Sequence, residues 1–176
     1  VIIVKDRTEV ALVGIGGQGV LLIGKILGEA AIFDNKNTVQ TTEYTDAARG
    51  GFSKSEVVIS EQEIAFPGVL EPDVVLALSQ QAYDMYKDQG CLLIYDDDIV
   101  TAEGSYNNIK GYPITSTAEK LNNLKVLNII SLGIILANVE IVPYESAVKA
   151  LKHNIPAQYL DLNLKAFNEG FARGQM

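Results

Sequence analysis

One cysteine, one histidine and no tryptophan in 176 residues close several chemistries to this chain from the start. Cys91 has no second cysteine to pair with and sits in the apolar run Cys91-Leu92-Leu93-Ile94, so a buried thiol and a reducing cytoplasm are expected. Without a C-x-x-C pair the chain cannot ligate an iron–sulfur cluster or build a zinc site, and no metal is expected on it. His153 stands alone in an amphipathic stretch and gives no Ser-His-Asp or Cys-His arrangement, so a solvated or structural histidine is expected. Positive charge is also short, with 14 basic against 22 acidic residues and a net charge of -8, so the chain as a whole repels nucleic acid and anionic membranes. The longest apolar stretch, residues 126–142, is broken by Asn128, Ser131, Asn138 and Glu140 and falls short of the ~20 residues of a span, which makes it a buried helix. Residues 1–4 are too short for a signal sequence and lack a basic flank, and the opening Val1 in place of Met suits a trimmed or expressed fragment.

What is present is apolar. Hydrophobic residues make up 48% of the chain, enough for the core of one domain over residues 1–176 and for a buried contact with another chain. The organising stretch is 9–33: the strand Glu9-Val10-Ala11-Leu12-Val13, the cluster Gly14-Ile15-Gly16-Gly17-Gln18-Gly19, and an apolar helix from Val20 to Phe33. This is the first strand-turn-helix of a Rossmann-like, doubly wound and mostly parallel sheet. Gly14, Gly16 and Gly19 fit G-x-G-x-x-G, which lets a backbone and a helix N-terminus approach an anion such as a pyrophosphate. Tight helix-on-sheet packing would select the same glycines, and both readings stand. No lysine follows the cluster as in a P-loop, which removes NTP hydrolysis. Gly24 and Gly28, one turn apart in the helix, mark a close contact with the sheet or with a partner subunit.

Residues 38–44 are rich in β-branched side chains and predict a second strand, with Glu43 the only acid placed to hold a ribose. Arg49 beside Gly50 and Gly51 offers an unobstructed fork for a carboxylate or phosphate, or is a solvated turn. Residues 52–59 form a third strand that follows without room for a helix, so it pairs antiparallel, an insertion ordinary Rossmann domains lack. Its expected faces set Phe52, Val57 and Ile59 against Ser53, Ser55 and Val58. Residues 73–78 and 91–95 are buried strands, and Ser79 caps a helix over 80–87. Asp96-Asp97-Asp98 closes the second of them, where open α/β sheets place ligands, and reads as a Mg²⁺ site or as solvated loop acids. A short strand is expected over 109–114. Ser116 with Glu119 forms a capping box, Pro143 opens a helix over 144–152, and Asp161 caps the last helix.

The glycine cluster, Arg49-Gly50-Gly51 with Ser53 and the strand to Ser60, Pro72-Asp73-Val74, and Leu162-Asn163-Leu164-Lys165-Ala166-Phe167 resemble, in that order and over almost the whole chain, the gamma subunit of 2-oxoacid:ferredoxin (acceptor) oxidoreductases. Ser53-Lys54-Ser55-Glu56-Val57 is most similar to the 2-oxoglutarate enzymes. Thr45 and Ala47 depart from the pattern, which carries a glycine and an acid near those places. The resemblance implies a heteromeric cytoplasmic complex with alpha, beta and delta-type subunits. That complex converts 2-oxoglutarate and coenzyme A (CoA) to succinyl-CoA and CO₂ and passes electrons to ferredoxin or a similar acceptor. Thiamine diphosphate and the iron–sulfur clusters belong to partner subunits, CoA is a shared ligand, and the isolated chain is inactive. The expected binding set is Gly14, Gly16, Gly17, Gln18, Gly19, Arg49, Gly50 and Gly51, with no catalytic residue. An NAD(P)-binding oxidoreductase domain and a non-catalytic structural subunit are the other two classes the residues allow.

Overall fold

The strand β1 (Arg7–Ile15) is buried on both faces, and the rest of the fold follows from what covers each of them. The computed structural model describes residues 6–16, 18–44, 51–104 and 107–176. After β1 come α1 (Val20–Phe33), β2 (Asn37–Tyr44), β3 (Phe52–Ser60), β4 (Val74–Ala77), α2 (Gln80–Tyr86), β5 (Leu92–Asp96) and β6 (Ile109–Tyr112). Four helices close the chain: α3 (Ile114–Lys120), α4 (Leu127–Asn138), α5 (Tyr144–Asn154) and α6 (Ala157–Gly174). The six strands form one sheet in the order β2-β3-β1-β4-β5-β6. β3 runs antiparallel to both β2 and β1, while β1, β4, β5 and β6 pair in parallel. The expected antiparallel insertion is therefore present, and it separates β2 from β1.

Alternation along β1 and β4 sorts the core. Val10, Leu12, Val74 and Leu76 face α1 and the carboxyl-terminal helices, while Ala11, Val13, Val75 and Ala77 face α2. The two layers are unequal, because α2 alone lies on its side and packs on β4 and β5. The β2–β3 end of that face is polar. There Lys54 bridges Glu43 at 3.1 Å and Glu56 at 2.9 Å; burial opposes its charge, but bonds to Glu56 and Glu43 outweigh it and raise the Lys54 pKa.

Helix α4 is apolar and small nearly all round because it is enclosed by α1, α3, α6 and the sheet. Gly133 and Gly170 let α4 and α6 meet backbone to backbone. Gly24 and Gly28 turn toward the sheet: a Cβ on Gly24 would strike Gln40 and Ser55, which are hydrogen-bonded to each other at 2.8 Å. His153 pairs with Glu29 of α1, which also accepts from Asn154, so the histidine is a strut between α1 and α5.

Four local expectations are corrected. Ser53 and Ser55 lie buried on the same face of β3 as Val57 and Ile59, under α1, because strand parity puts Phe52 on the other side. Ser116 and Glu119 make no capping box, since α3 starts at Ile114 and takes its cap from the β5 loop. Asp161 lies inside α6, which starts at Ala157 directly after Pro156. Pro143 precedes α5 instead of opening it. Ser79 does cap α2, its hydroxyl accepting from Ala82 N at 3.2 Å.

Candidate functional site

The glycine turn sits at the carboxyl end of β1, beside the end of β4, where the strand order changes direction and an open α/β sheet offers a crevice. Its glycines differ in why they are glycine. Gly14 is buried, and a Cβ there would meet Gln18 Oε1 at 2.5 Å. Gly19 has φ of 72° and precedes α1, and a Cβ on it would collide with the Asn128 amide. Gly16 is exposed, and a Cβ on it would have nothing within 4 Å among the described residues beyond its chain neighbours. Packing within the chain thus accounts for Gly14 and Gly19 and leaves Gly16 unaccounted for.

Gln18 holds the turn in shape. Its Oε1 accepts from Ile15 N at 2.6 Å and its Nε2 donates to Leu78 O at 2.9 Å, which staples the turn to the end of β4. The Gln18 amide is therefore spent on the scaffold, and the surface a ligand would meet is the backbone around Gly16 and the start of α1. That start has no side-chain cap and no acid in its first turn, so its partial positive charge is not neutralised by a neighbouring carboxylate of α1. Asn128 supports the turn from below, donating to Gly19 O at 3.4 Å. Sequence reasoning treated Asn128 only as a break in an apolar run. A polar residue at the very start of a buried helix was the available signal. Gly51 lies half-buried just before β3, and the β3 start, Phe52, pairs with Ile15, so Gly51 borders the same rim. Gly17, Arg49 and Gly50 of the expected set lie outside the described residues, as do Thr45 and Ala47.

The aspartates after β5 do something neither sequence reading foresaw. Asp96, with no exposed surface, accepts from Ile114 N, from Thr115 N and from Thr115 Oγ1, and Asp98 accepts from Ser116 N at 2.6 Å. Together they cap α3 from a distant strand. Partial burial first, then the neighbouring Asp98 and Asp96, push the Asp97 carboxyl up. Asp96→Asn is expected to cost about 2 kcal/mol by losing the bond from Thr115 Oγ1 and its charge assistance. Urea denaturation should give that same loss with and without Mg²⁺, whereas a metal site would show Mg²⁺ stabilising the parent chain alone.

Two other candidates resolve. Glu43 bonds Lys54 from β2, two strands away from β1 and so roughly 10 Å across the sheet, which removes it from the place a ribose-binding acid takes beside a glycine turn. Cys91 is buried at the start of β5, and burial pushes its thiol up, which disfavours a nucleophilic thiolate. No helix among the described residues is long and apolar enough to cross a membrane.

The geometry agrees with what the chain is similar to. Residues 9–173 match the family described as pyruvate ferredoxin/flavodoxin oxidoreductase. The 2-oxoglutarate synthase subunit KorC of Methanocaldococcus jannaschii is 44% identical, with 96% of this chain and 94% of that protein covered. The crystal structure of a keto/oxoacid ferredoxin oxidoreductase gamma subunit from Geobacter sulfurreducens superposes with a TM-score of 0.84 at 38% identity, covering 95% of this chain and 98% of that one. The 2-oxoglutarate:ferredoxin oxidoreductase of Magnetococcus marinus, solved with 2-oxoglutarate, coenzyme A and succinyl-CoA bound, shares the fold with a TM-score of 0.83 at 21% identity. There the match covers 98% of this chain but 32% of the longer one. With most of its length matched by the family and a full-length relative at 44% identity, this chain belongs to the pyruvate ferredoxin/flavodoxin oxidoreductase family.

Proposed function

We propose that the chain, as one gamma-type domain over residues 1–176, is the gamma subunit of a cytoplasmic 2-oxoglutarate:ferredoxin oxidoreductase. The reading is carried by the full-length identity to a 2-oxoglutarate synthase subunit. The complex would convert 2-oxoglutarate and CoA to succinyl-CoA and CO₂ while two electrons leave to ferredoxin or a similar acceptor. The described residues do not fit the redox groups of such a complex: a single buried cysteine cannot supply the four ligands a cluster takes. On that count the clusters are assigned to alpha, beta and delta-type partners, thiamine diphosphate is assigned to them on the family resemblance, and no step of the chemistry is assigned to this chain.

Its own contribution is binding. The uncapped start of α1 and the open backbone at Gly16 suit an anionic group of CoA, with Gly14, Gln18, Gly19 and Gly51 shaping the corner, and on the sequence alone Gly17 and Gly50 join the set and Arg49 supplies the cation. The NAD(P) alternative is disfavoured, because β3 stands between the glycine turn and the strand that would carry the ribose-binding acid.

Co-purification of the native complex, with assay for thiamine diphosphate and iron, tests the assignment. A chain that purifies without larger partners refutes it. Within the active complex, Arg49→Ala should raise the KM for CoA about tenfold, as expected for one charged phosphate contact, and leave the 2-oxoacid half-reaction unchanged. An unchanged CoA KM and unchanged subunit association remove Arg49 from the site. If the assembled complex has normal CoA kinetics in every turn variant, the chain is a structural interaction subunit instead.

A further inference from the structure

The end of the sheet opposite the glycine turn carries a second prepared surface. The connection from β3 to β4, residues 61–73, has no helix or strand of its own, yet it is held at several points. Glu9, itself almost fully buried, accepts from Leu70 N at 2.7 Å and from Glu71 N at 3.1 Å. Its other oxygen takes Arg7 Nε at 2.8 Å, and the same guanidinium donates to Phe66 O and Gly68 O. Asn37 holds the start of the loop through Gln62 O at 3.1 Å. One strand, β1, thus spends a buried carboxylate and a guanidinium on fixing the loop, and β2 adds an amide, against the conformational entropy of ordering it.

What the loop presents is apolar. Phe66 is 51% exposed and Leu70 72% exposed, and the absence of a side chain on Gly68 leaves room for the edge atoms of the Phe66 ring, 2.7 Å from where a Cβ would stand. Leu70 also walls an open cleft of about 900 Å³ that continues past Glu71 and Asp73 to the start of β5. The surroundings are acidic: Asp6, Glu61, Glu63, Glu71 and Asp88 are exposed. Among the described residues the cations nearby are already engaged, Arg7 with Glu9, Lys87 with Asp84 and Glu103, and Lys110 on Asn138 Oδ1 at 2.7 Å.

We infer that this loop and cleft are a docking surface for a companion subunit of the complex, one that inserts apolar side chains flanked by lysine or arginine. The charge around the two apolar tips selects a basic partner surface over an acidic one, and over a second copy of a chain that carries a net charge of -8. A rigid loop lowers the entropy lost on binding. The inference rests on the subunit assignment above, but it places assembly at this end of β1, roughly 20 Å from Gly16 at about 3.3 Å per residue, and leaves the glycine turn to the ligand.

The test is association of this chain with its co-expressed companion subunits, followed by native mass spectrometry and a binding isotherm. Phe66→Glu with Leu70→Glu should weaken association at least about tenfold while lowering the melting temperature of the isolated chain by only a few degrees, since Leu70 is mostly and Phe66 half in water. Glu61→Lys, Glu63→Lys and Glu71→Lys together keep the tips and reverse the charge; they should also weaken association, and the parent complex should weaken as salt is raised. Parent-like association of both variants overturns the docking surface and leaves the subunit assignment standing. A parent chain that binds no companion overturns both. A dimer of the isolated chain that Phe66→Glu with Leu70→Glu dissolves makes the occupant a second copy and overturns the inference.

Discussion

Thermal unfolding should show Gly170→Ala lowering the melting temperature of this chain by about 5 to 10 °C, and Gly170→Leu should be unable to fold. On a free helix face the first change would stabilise by about 1 kcal/mol, because glycine is the poorer helix former. Here the sign reverses. A Cβ on Gly170 would stand 2.8 Å from the carbonyl carbon of Ile130, and one on Gly133 would stand 2.7 Å from Phe171 N. The obstacles are backbone atoms of α4 and α6, which cannot rotate aside as a side chain does. Accommodating even a methyl group means separating two helices that bury Ile130, Ile134, Ala166 and Phe167 between them and the sheet. Overpacking of this kind costs about 3 kcal/mol or more, well above the propensity gained and a large part of the stability of a domain this size. Gly28→Ala is the control. Its Cβ would meet only the Thr38 side chain, Oγ1 at 3.3 Å and Cγ2 at 3.7 Å, which can give way, so thermal unfolding should place it within a degree or two of the parent.

That contrast marks what was readable in the chain beforehand. The doubly wound pattern, the antiparallel third strand and the Ser79 cap each follow from periodicity, connection length or a local hydrogen bond, and they are found where expected. The misassignments at Asp161 and Pro143 are local shifts of a helix start, and the others occur where the partner is distant in sequence. Ser116 and Glu119 have the right spacing for a capping box, but Asp96 and Asp98, some 18 residues earlier, reach the α3 N-terminus first. Ser53 and Ser55 look like a solvent face until Gln40 and the glycine face of α1 supply a polar pocket for Ser55 under the helix. Arg7 and Glu9 read as an ordinary strand start, and only the folded chain shows them gripping a loop about 60 residues away. The glycine turn was legible as a turn, because its spacing is local. Which of its glycines serve packing was not, because Asn128 and Leu78 come from other parts of the sequence.

Gly16→Leu separates those roles, and its expected result is a loss of function without a loss of fold. Among the described residues, neither packing nor backbone angle asks for glycine at this position: none beyond its chain neighbours places an atom within 4 Å of the added Cβ, and its φ is not in the left-handed region. The melting temperature of the isolated variant should therefore match the parent within about a degree, as for other exposed sites free of strain. In the assembled complex the leucine would occupy the space through which a ligand reaches the backbone of the turn and the start of α1. Losing about 2 kcal/mol of binding there corresponds to a CoA KM about thirtyfold higher, with the 2-oxoacid half-reaction unchanged because it precedes CoA. Gly19→Ala should behave in the opposite way, destabilising the chain itself through its φ of 72° and the collision with Asn128. If Gly16→Leu instead leaves the CoA KM at the parent value, the open backbone at Gly16 faces solvent. Packing would then account for Gly14 and Gly19, and Gly16 would stand outside the ligand site.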